Sequence, residues 1–514
     1  MPNDRGGRDK PGHDGEGLEQ GFMSNDSLRE GAVGRSGFIA AHHLWTDDQQ
    51  KQAKEVVARV KAEKLDFVRL AFADQHGILR GKTLAAVEIE SVVKNGCAIP
   101  VTLLGKDTAN RTLYPVFSPD GGFGIPEMGG AGDMIMLPLP HTFKVLPWVP
   151  NTGWMLCDIM LKNGQPVPFS TRHLYAEALK RLAAAGFDYV AGLEVEFYVL
   201  KLELDRIRPE DATQPPPPPP VSPLAYGYHY LTETRFDQLD GVVQLLAPPL
   251  AALGLPIRTF EGEFGPSQLE VTFAPTPGME AADNMMLFRS AVKQICRRAG
   301  LHATFMCRPG LPNMFASGWH LHQSLRDRKS GKNAFAPKDD VEAISAIGQH
   351  YVAGVLKHAR ASCVFSTPTI NGYKRYKPNS LAPDRAIWGR DHKGAMLRVV
   401  TGGAGDPGTR IENRVGEPAA NPYLYMGSQV ISGLAGIEAK LMPATVSDTP
   451  YEAQAEKLPV SLMEALDAFR ASALYKDKLG QQFVDYFLKI KDAEVARFLS
   501  EVTDWEHREY FEMF

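Results

Sequence analysis

The sequence is poor in cysteine, with five among 514 residues, and no two of them form a CxxC pair. Widely separated cysteines in odd number argue against a disulfide framework and against a thiolate zinc site. The sequence therefore indicates a reducing compartment, and we expect the cytoplasm. The five are Cys97, Cys157, Cys296, Cys307 and Cys363.

Long apolar runs and an excess of basic charge are also missing. No apolar run approaches the roughly 20 residues that a membrane-spanning helix needs, and the first residues lack the apolar segment of a signal peptide. The formal net charge is -4, so the composition has no excess of basic residues that would indicate binding to nucleic acid or to an anionic membrane. An apolar share of 44% can support sizeable cores, and the composition favours a soluble enzyme that acts on small molecules.

The length of the chain predicts more than one domain, since 514 residues exceed what one hydrophobic core usually fills. Residues 1–48 are rich in Gly, Asp and Arg without periodicity, which is typical of a disordered extension. We predict an N-terminal domain over residues 49–165, in which a helix precedes a hairpin with its turn at residues 74–77. The catalytic domain, residues 166–514, is predicted to open with a helix that Thr171 caps.

One short stretch, GLEVEFYVL at residues 192–200, has the composition of a strand but carries two glutamates two positions apart. Successive side chains of a strand point to opposite faces, so Glu194 and Glu196 share one face and the apolar side chains share the other. A half-exposed strand that turns its polar side to water would give the same pattern. The pair therefore has to be judged beside the other polar strands.

Three further stretches alternate chemically active and apolar residues in the same way. They contribute Glu263 and Glu270 in FEGEFGPSQLEVTF, His320, His322 and Ser324 in GWHLHQSL, and Arg410, Glu412 and Arg414 in TRIENRV. Exposure to solvent would explain each stretch alone. Together, however, they supply carboxylates and imidazole that suit Mg²⁺ or Mn²⁺, and guanidinium groups that neutralise a phosphoryl group in transfer. The sequence thus predicts a divalent-metal site for phosphoryl transfer.

In this order the motifs resemble those of glutamine synthetases of the bacterial type I class. The shared motifs are the paired-glutamate strand, the pattern E-x-G-P-x-Q-x-E, the His-x-His-x-Ser strand, NGYKR ending in Arg375, and RIENRVGEPAANPYL. The resemblance implies an α+β fold, in which a small N-terminal β-grasp domain precedes a large catalytic domain with a curved antiparallel sheet. It also implies a homo-oligomer, a dodecamer of two stacked hexameric rings, with each active site formed between neighbouring subunits.

The resemblance further implies a role for each motif residue. Glu196, Glu263 and Glu270 would bind one divalent cation and Glu194, His320 and Glu412 a second, with two or three Mg²⁺ or Mn²⁺ in all. The substrate ATP would contact His322, Ser324, Arg398 and Arg410, while Arg375 and Arg414 would hold glutamate. The carboxylate of Asp74 would reach into the amine site of the neighbouring subunit.

The sequence departs from the family pattern in three places. Where the family has a glutamate that closes the site and binds ammonium, this chain has Leu381, and Asp384, three residues later, could replace it only if the loop were re-aimed. Phe315 and Ala316 stand where the family has a small pair that helps to hold the α-amino group of glutamate. Lys393 takes the place of an arginine that touches the γ-phosphate, and lysine lacks the bidentate fork of arginine.

The loss of a carboxylate and the gain of apolar surface at Leu381 favour an amine with a hydrocarbon body over ammonium. We therefore predict an ATP-dependent ligase that converts glutamate to γ-glutamyl phosphate and joins it to an alkyl or aromatic amine. A true glutamine synthetase that uses ammonia is the alternative, and a catalytically inactive structural relative is the third hypothesis. No nucleic acid or membrane partner is expected. The sequence does not name the amine.

Overall fold

Two β-sheets and their surrounding helices make up the described part of the chain, residues 37–118, 121–204, 206–376 and 381–514 of a computed structural model. The smaller sheet lies in the N-terminal part and has six strands. The larger sheet follows it and has ten. This combination of sheets and helices confirms the predicted α+β class.

The smaller sheet has the strand order β2-β1-β6-β4-β3, with β5 paired to β6. Strands β1 and β2 form the predicted hairpin, because they run antiparallel with Ala73 opposite Leu79. Strand β1 pairs with β6 in parallel. The strands are β1 (Phe67–Ala73), β2 (Leu79–Ala85), β3 (Cys97–Pro100), β4 (Asp133–Pro138), β5 (Lys144–Val145) and β6 (Thr152–Met160), and the helices are α1 (Phe38–Ala41), α2 (Asp47–Ala62) and α3 (Ile89–Asn95).

The larger sheet has the order β14-β15-β16-β13-β7-β10-β9, and three short strands add to β7, the longest strand. Its described pairs are antiparallel except β14 with β15, which is parallel at one edge of the sheet. The strands are β7 (Phe187–Leu202), β8 (Val221–Pro223), β9 (Ile257–Gly262), β10 (Gln268–Phe273), β11 (Thr276–Pro277), β12 (Leu301–Thr304), β13 (Trp319–Asp327), β14 (Trp388–Arg390), β15 (Leu397–Val400) and β16 (Arg410–Asn413).

Helices cover one face of the larger sheet. The ring of Phe288 packs edge-on against Phe197 of β7 at 5.8 Å, and both side chains are fully buried. In the described ranges no helix is both long enough and apolar enough to cross a membrane. The helices are α4 (Thr171–Ala184), α5 (Glu233–Phe236), α6 (Asp240–Ala252), α7 (Gly278–Arg298), α8 (Ala346–Lys357), α9 (Ala359–Ser366), α10 (Pro422–Glu438), α11 (Leu462–Ala471), α12 (Ala473–Leu479), α13 (Gln481–Leu499) and α14 (Asp504–Tyr510).

The N-terminal extension is shorter than the sequence predicts. Residues 1–36 of the predicted extension lie outside the described residues, but residues 37–48 are structured, so the prediction is wrong for them. Phe38, Ile39 and Trp45 are buried against β4 and β6, and the indole nitrogen of Trp45 donates to the carbonyl of Pro138 at 3.2 Å. Long-range packing holds this short segment, which has too few residues to show periodicity.

The predicted cap of α4 is off by one residue. Ser170 is the N-cap, and its hydroxyl accepts a hydrogen bond from the backbone of His173 at 3.3 Å. Thr171 is the first helical residue, and its hydroxyl accepts instead from the side chain of Asn421. Helix α2 begins with a capping box between Thr46 and Gln49, as the polar residues before its apolar positions suggest.

The apolar core continues across the predicted domain boundary at residue 165. Tyr486 of the C-terminal helix α13 stacks on Phe169 at 4.1 Å, and its hydroxyl donates to the carbonyl of Leu104 at 2.7 Å. The last long helix therefore packs on the N-terminal part of the chain. The division into residues 49–165 and 166–514 stays a prediction.

Candidate active site

The four polar strands found in the sequence are direct neighbours in the larger sheet, in the order β16-β13-β7-β10. Their register pairs Glu196 with Glu270, Glu194 with His320, and His322 with Glu412. Because side chains alternate along a strand, the apolar partners point to the helical side, and the charged ones gather on the other face. The strand period thus builds one polar cluster from four separate segments.

Glu194 lies at the centre of this cluster. Its Oε1 is 2.6 Å from Nδ1 of His320, and its Oε2 is 2.9 Å from Nε2 of His322. Two groups of three residues have ligand atoms close enough to share one metal ion, and Glu194 belongs to both. The groups are Glu194, His322 and Glu412, and Glu194, Glu270 and His320. The two groups differ from the predicted ligand sets, since His322 joins one of them and Glu196 and Glu263 join neither.

Arginines surround the fully buried Glu412. Arg414 donates to one of its carboxylate oxygens, and Arg398 donates to the other at 2.8 Å. Arg410 donates to Nδ1 of His322 at 3.1 Å. The Nε of Arg414 is buried and, within the described ranges, has no hydrogen-bond partner, so one guanidinium donor is left for a ligand.

The carboxylates of the cluster affect one another strongly. Burial and the neighbouring Glu196 raise the pKa of Glu263 to about 8, and burial together with Glu194 and Glu196 raises the pKa of Glu270 to about 10. Burial opposes the charged form of Glu194 as well, but hydrogen bonds from the two histidines hold its pKa well below the usual range. Glu263 and Glu270 are thus carboxylates whose charged forms are disfavoured where they lie, and a divalent cation bound by such oxygen donors would favour them.

Arg375 is buried beside the cluster. Its Nη1 donates to the carbonyls of Arg414 and Gly416, and its Nη2 lies 3.2 Å from Nε2 of His320. A Cβ atom at position 318 would lie 2.5 Å from Nη2 of Arg375, so only glycine permits this approach. The arginine is therefore fixed against the histidine strand.

The chain was compared with known proteins. Residues 168–510 match the family model described as the catalytic domain of glutamine synthetase. A γ-glutamylanilide synthase from Acinetobacter sp. is 42% identical over 495 residues, which cover 93% of this chain and 99% of that protein. A glutamate–isopropylamine ligase from Pseudomonas sp. is 29% identical, with coverage of 91% and 100%. A solved structure of apo GmaS without ligand has a TM-score of 0.74 at 25% identity, with coverage of 89% and 99%.

The chain belongs to the glutamine synthetase family. Its relatives also include a type-1 glutamine synthetase from Dictyostelium discoideum, at 31% identity over 89% of this chain and 86% of that protein. The matched segment contains every residue of the polar cluster. Membership supports a carbon–nitrogen ligase, the class that the sequence predicts.

Asp74, which the family resemblance places in a neighbouring subunit's site, does not point outward. Its side chain is fully buried in its own hairpin turn, where it accepts from the backbones of His76 and Ile78 at 2.9 Å. Arg80 donates to its second oxygen, also at 2.9 Å. Both oxygens of Asp74 thus have partners within the turn, and the predicted role of this carboxylate in a neighbouring subunit's amine site stays a prediction.

The residues predicted to select the amine lie at the edge of the site. Leu381 is 52% exposed, and its carbonyl lies 3.5 Å from Nη2 of Arg414. Asp384 gives both carboxylate oxygens to Arg385, at 2.8 and 2.9 Å. Asp384 is therefore occupied and is no replacement for the missing glutamate in this geometry. Lys393 is exposed in the turn before β15.

Gln268 is a site residue to which the sequence analysis gave no role. Its amide donates to Glu196 at 3.2 Å and to the hydroxyl of Ser317 at 2.9 Å, and it approaches the carbonyl of Ala316 at 3.5 Å. Gln268 and Glu270 are two positions apart on one strand, so they share a face. This spacing was the signal that could have identified it.

Proposed function

We propose that this protein is an ATP-dependent ligase that joins the γ-carboxylate of glutamate to an organic amine and releases ADP and phosphate. The observation that carries the proposal is the cluster of four carboxylates and two histidines on four adjacent strands, joined by Glu263 from the turn before β10, with Arg398 and Arg414 beside it. Relatives named for anilide, isopropylamine and ethanolamide synthesis support the amine part.

The proposed reaction has two steps. A γ-carboxylate oxygen of glutamate attacks the γ-phosphorus of ATP, and the bond to the β,γ-bridging oxygen breaks so that ADP leaves. The nitrogen lone pair of the amine then attacks the carbonyl carbon of γ-glutamyl phosphate, phosphate leaves, and the amine gives up a proton. The protein has little covalent work in such transfers and acts by positioning and electrostatics.

The donor set fits two or three Mg²⁺ or Mn²⁺ ions, because burial and mutual repulsion raise the pKa of two of its carboxylates. Bound there, the ions would neutralise phosphate charge. The proposed ligands are Glu194, Glu196, Glu263, Glu270, His320 and Glu412.

The positively charged side chains of the site are proposed to bind the two anionic substrates, ATP and glutamate. We assign the phosphates of ATP to Arg398, whose guanidinium is held between Glu412 and Asp391, and to the exposed Lys393. His322, Ser324 and Arg410, which follow the same face of β13 and β16, are assigned to the rest of the nucleotide. Glutamate is assigned to Arg414, whose Nε is free of hydrogen bonds in the described structure, together with Arg375, Phe315 and Ala316.

Ammonia remains the second candidate nucleophile, because several relatives at about 30% identity are named glutamine synthetases. Two features favour an organic amine. Leu381 offers no negative partner for ammonium, and Asp384 is paired with Arg385. An apolar side chain at this position suits an amine that carries a hydrocarbon group.

The proposed compartment rests on the few, widely separated cysteines, and the proposed assembly rests on the family resemblance. We propose a cytoplasmic homo-oligomer, a dodecamer of two hexameric rings. Because the carboxylate of Asp74 is hydrogen-bonded within its own turn, its position gives no support to the proposed assembly. Light scattering of the active protein tests the oligomer, and an active monomer would contradict it.

Phosphate release tests the function directly. The protein, with ATP, glutamate and excess Mg²⁺, is assayed with aniline, isopropylamine, ethanolamine, polyamines and ammonium. We expect release with at least one organic amine and a lower kcat/KM for ammonium. Activity with ammonium alone would establish the glutamine synthetase alternative, and no release with any amine would support the inactive relative.

A further inference from the structure

Four aromatic rings form a continuous row on the surface next to the acidic cluster. The rings of Tyr230 and Phe264 stack at 4.8 Å with 7° between their planes. Phe264 stacks on Phe315 at 5.5 Å and 24°, and Phe315 meets the edge of Tyr228 at 5.4 Å and 71°. We call Tyr228, Tyr230, Phe264 and Phe315 the aromatic row.

Backbone and hydroxyl hydrogen bonds hold the row in place. The backbone of Tyr228 donates to the carbonyl of Phe264 at 2.6 Å, and its hydroxyl donates to the carbonyl of Asn313 at 3.1 Å. The hydroxyl of Tyr198 bonds both the N–H and the carbonyl of Phe315, at 2.9 and 3.0 Å. Three distant segments are thus fixed to one another, and the rings are preorganised for a ligand.

The row borders the carboxylates that are proposed to bind metal. Phe264 directly follows Glu263, and its N–H donates to that carboxylate at 3.2 Å. The ring of Tyr230 stacks on that of Phe264 at 4.8 Å, so it lies at the same end of the row. One end of the row therefore lies at the acidic cluster.

Three of the four rings are exposed to solvent although they are large and apolar, and Phe264 is half-buried between its neighbours. The exposed fractions are 55% for Tyr228, 43% for Phe315 and 39% for Tyr230. A contiguous exposed aromatic surface beside a cleft is a feature of binding sites. A planar aromatic ligand gains stacking energy there beyond the area it buries, which an alkyl group does not.

We propose that the aromatic row binds the aryl group of the amine substrate and makes the protein selective for primary aromatic amines. The inference rests on the proposed amine ligation and narrows it to one substrate class. An aromatic amine is neutral near pH 7, so it brings its lone pair without first losing a proton to a base. With its ring on the row, its nitrogen lies toward the Glu263 end, where the activated carboxyl group of glutamate is expected.

Two leucine variants test the row, Tyr230→Leu and Phe264→Leu, since leucine keeps an apolar side chain but removes the ring. We expect kcat/KM for aniline to fall roughly two- to tenfold more than kcat/KM for isopropylamine. The difference corresponds to the free energy that an aromatic pair gains from stacking in addition to the burial of apolar area. The KM for glutamate, measured with isopropylamine, reports any damage to the acid site. Tyr226→Leu is the matched control, because Tyr226 lies in the same loop but packs under Arg235 at 5.3 Å.

A binding measurement complements turnover. Phenol should inhibit the isopropylamine reaction competitively and better than cyclohexanol, and the leucine variants should remove that difference. An equal fall for both amines, or no preference for phenol in the unchanged protein, would overturn the aromatic row as an aryl site and leave amine ligation standing. If the unchanged protein releases no phosphate with any amine, the proposed function fails, and the inference fails with it.

Discussion

Nδ1 of His320 lies 2.6 Å from Oε1 of Glu194, and the two residues face each other directly across β13 and β7. The other ring nitrogen of His320 is 3.2 Å from Arg375. The imidazole therefore connects a carboxylate of the cluster to a guanidinium that is fixed by backbone carbonyls. Removal of His320 would disturb the metal side and the glutamate side of the site together.

We predict that His320→Ala and Glu196→Gln each lower ATP turnover by more than about 100-fold with every amine. Loss of partners that only orient metal ligands already costs about 10–100-fold, and these variants remove proposed ligands. Phosphate release under saturating glutamate gives the measurement. Glu203→Gln, at an exposed position just after β7, is the control and should keep normal turnover. Near-normal turnover in either cluster variant would refute the metal assignment.

The metal-free protein should be less stable than the metal-bound protein. Burial and repulsion raise the pKa of Glu263 to about 8 and of Glu270 to about 10, so the folded chain disfavours the charged forms of both carboxylates when no cation is bound. Saturation with Mg²⁺ at about 100 times its Kd would stabilise the fold by about 2.7 kcal/mol. We expect a melting temperature several degrees higher in excess Mg²⁺ than in chelator. If Mg²⁺ raised the melting temperature of Glu270→Gln or Glu196→Gln by the same amount, its stabilising effect would not come from binding to these carboxylates.

A third prediction concerns Glu417, which is buried and accepts hydrogen bonds from the backbone and hydroxyl of Thr369. Burial raises its pKa to about 7 from the ordinary 4.5, so the folded state binds a proton more tightly than the unfolded state. This contribution to stability is fully present below about pH 4.5 and is lost as the pH rises through about 7.

Glu417→Gln mimics the protonated form and removes this loss. The free energy of unfolding of the variant minus that of the unchanged protein should therefore increase by on the order of 3 kcal/mol from about pH 5 to about pH 8. Chemical unfolding at both pH values measures the difference. The exposed Glu501→Gln is the control, and an equal pH dependence in both variants would show that Glu417 is not the cause.

The strands and their faces could be predicted from the sequence, because a period of two is a local property. Glu194 and Glu196 had to share a face, and the apolar side chains between them had to form the core. The positions of Gln268 and Asp74 could not be obtained in this way, because a hydrogen-bond partner depends on long-range packing. The aromatic row likewise could not be predicted from any local pattern, because its rings come from three separate segments. The outermost of these residues, Tyr228 and Phe315, are 87 positions apart in the sequence.

The segment before α2 gives a fourth prediction. Trp45 is buried against β4 and hydrogen-bonded to Pro138, so Trp45→Ala should lower the free energy of unfolding by about 3 kcal/mol. Trp505→Ala, at a half-exposed site in α14, should change it much less. A chain that begins at Met23 retains residues 37–48 and should keep both its activity and its melting temperature. A small effect of Trp45→Ala would mean that this segment is held by other contacts.

The last prediction concerns Leu381, where the family has a glutamate. Leucine removes a negative partner for ammonium and also a base that would take its proton. The same side chain is half exposed and can contact an organic amine, and burial of a few tens of Å² at about 25 cal/mol per Å² contributes on the order of 1 kcal/mol. An aromatic amine loses least, because it needs no deprotonation before it attacks.

Leu381→Glu should therefore raise kcat/KM for ammonium and lower it for the preferred organic amine, by roughly tenfold in the ratio of the two. Leu381→Gln is the matched control, since it has the size and polarity of glutamate without the charge. If glutamine gives the same change, loss of apolar contact is the cause and the charge is not. If the ratio stays constant in both variants, Leu381 does not select the amine, and selectivity has to come from other surfaces such as the aromatic row.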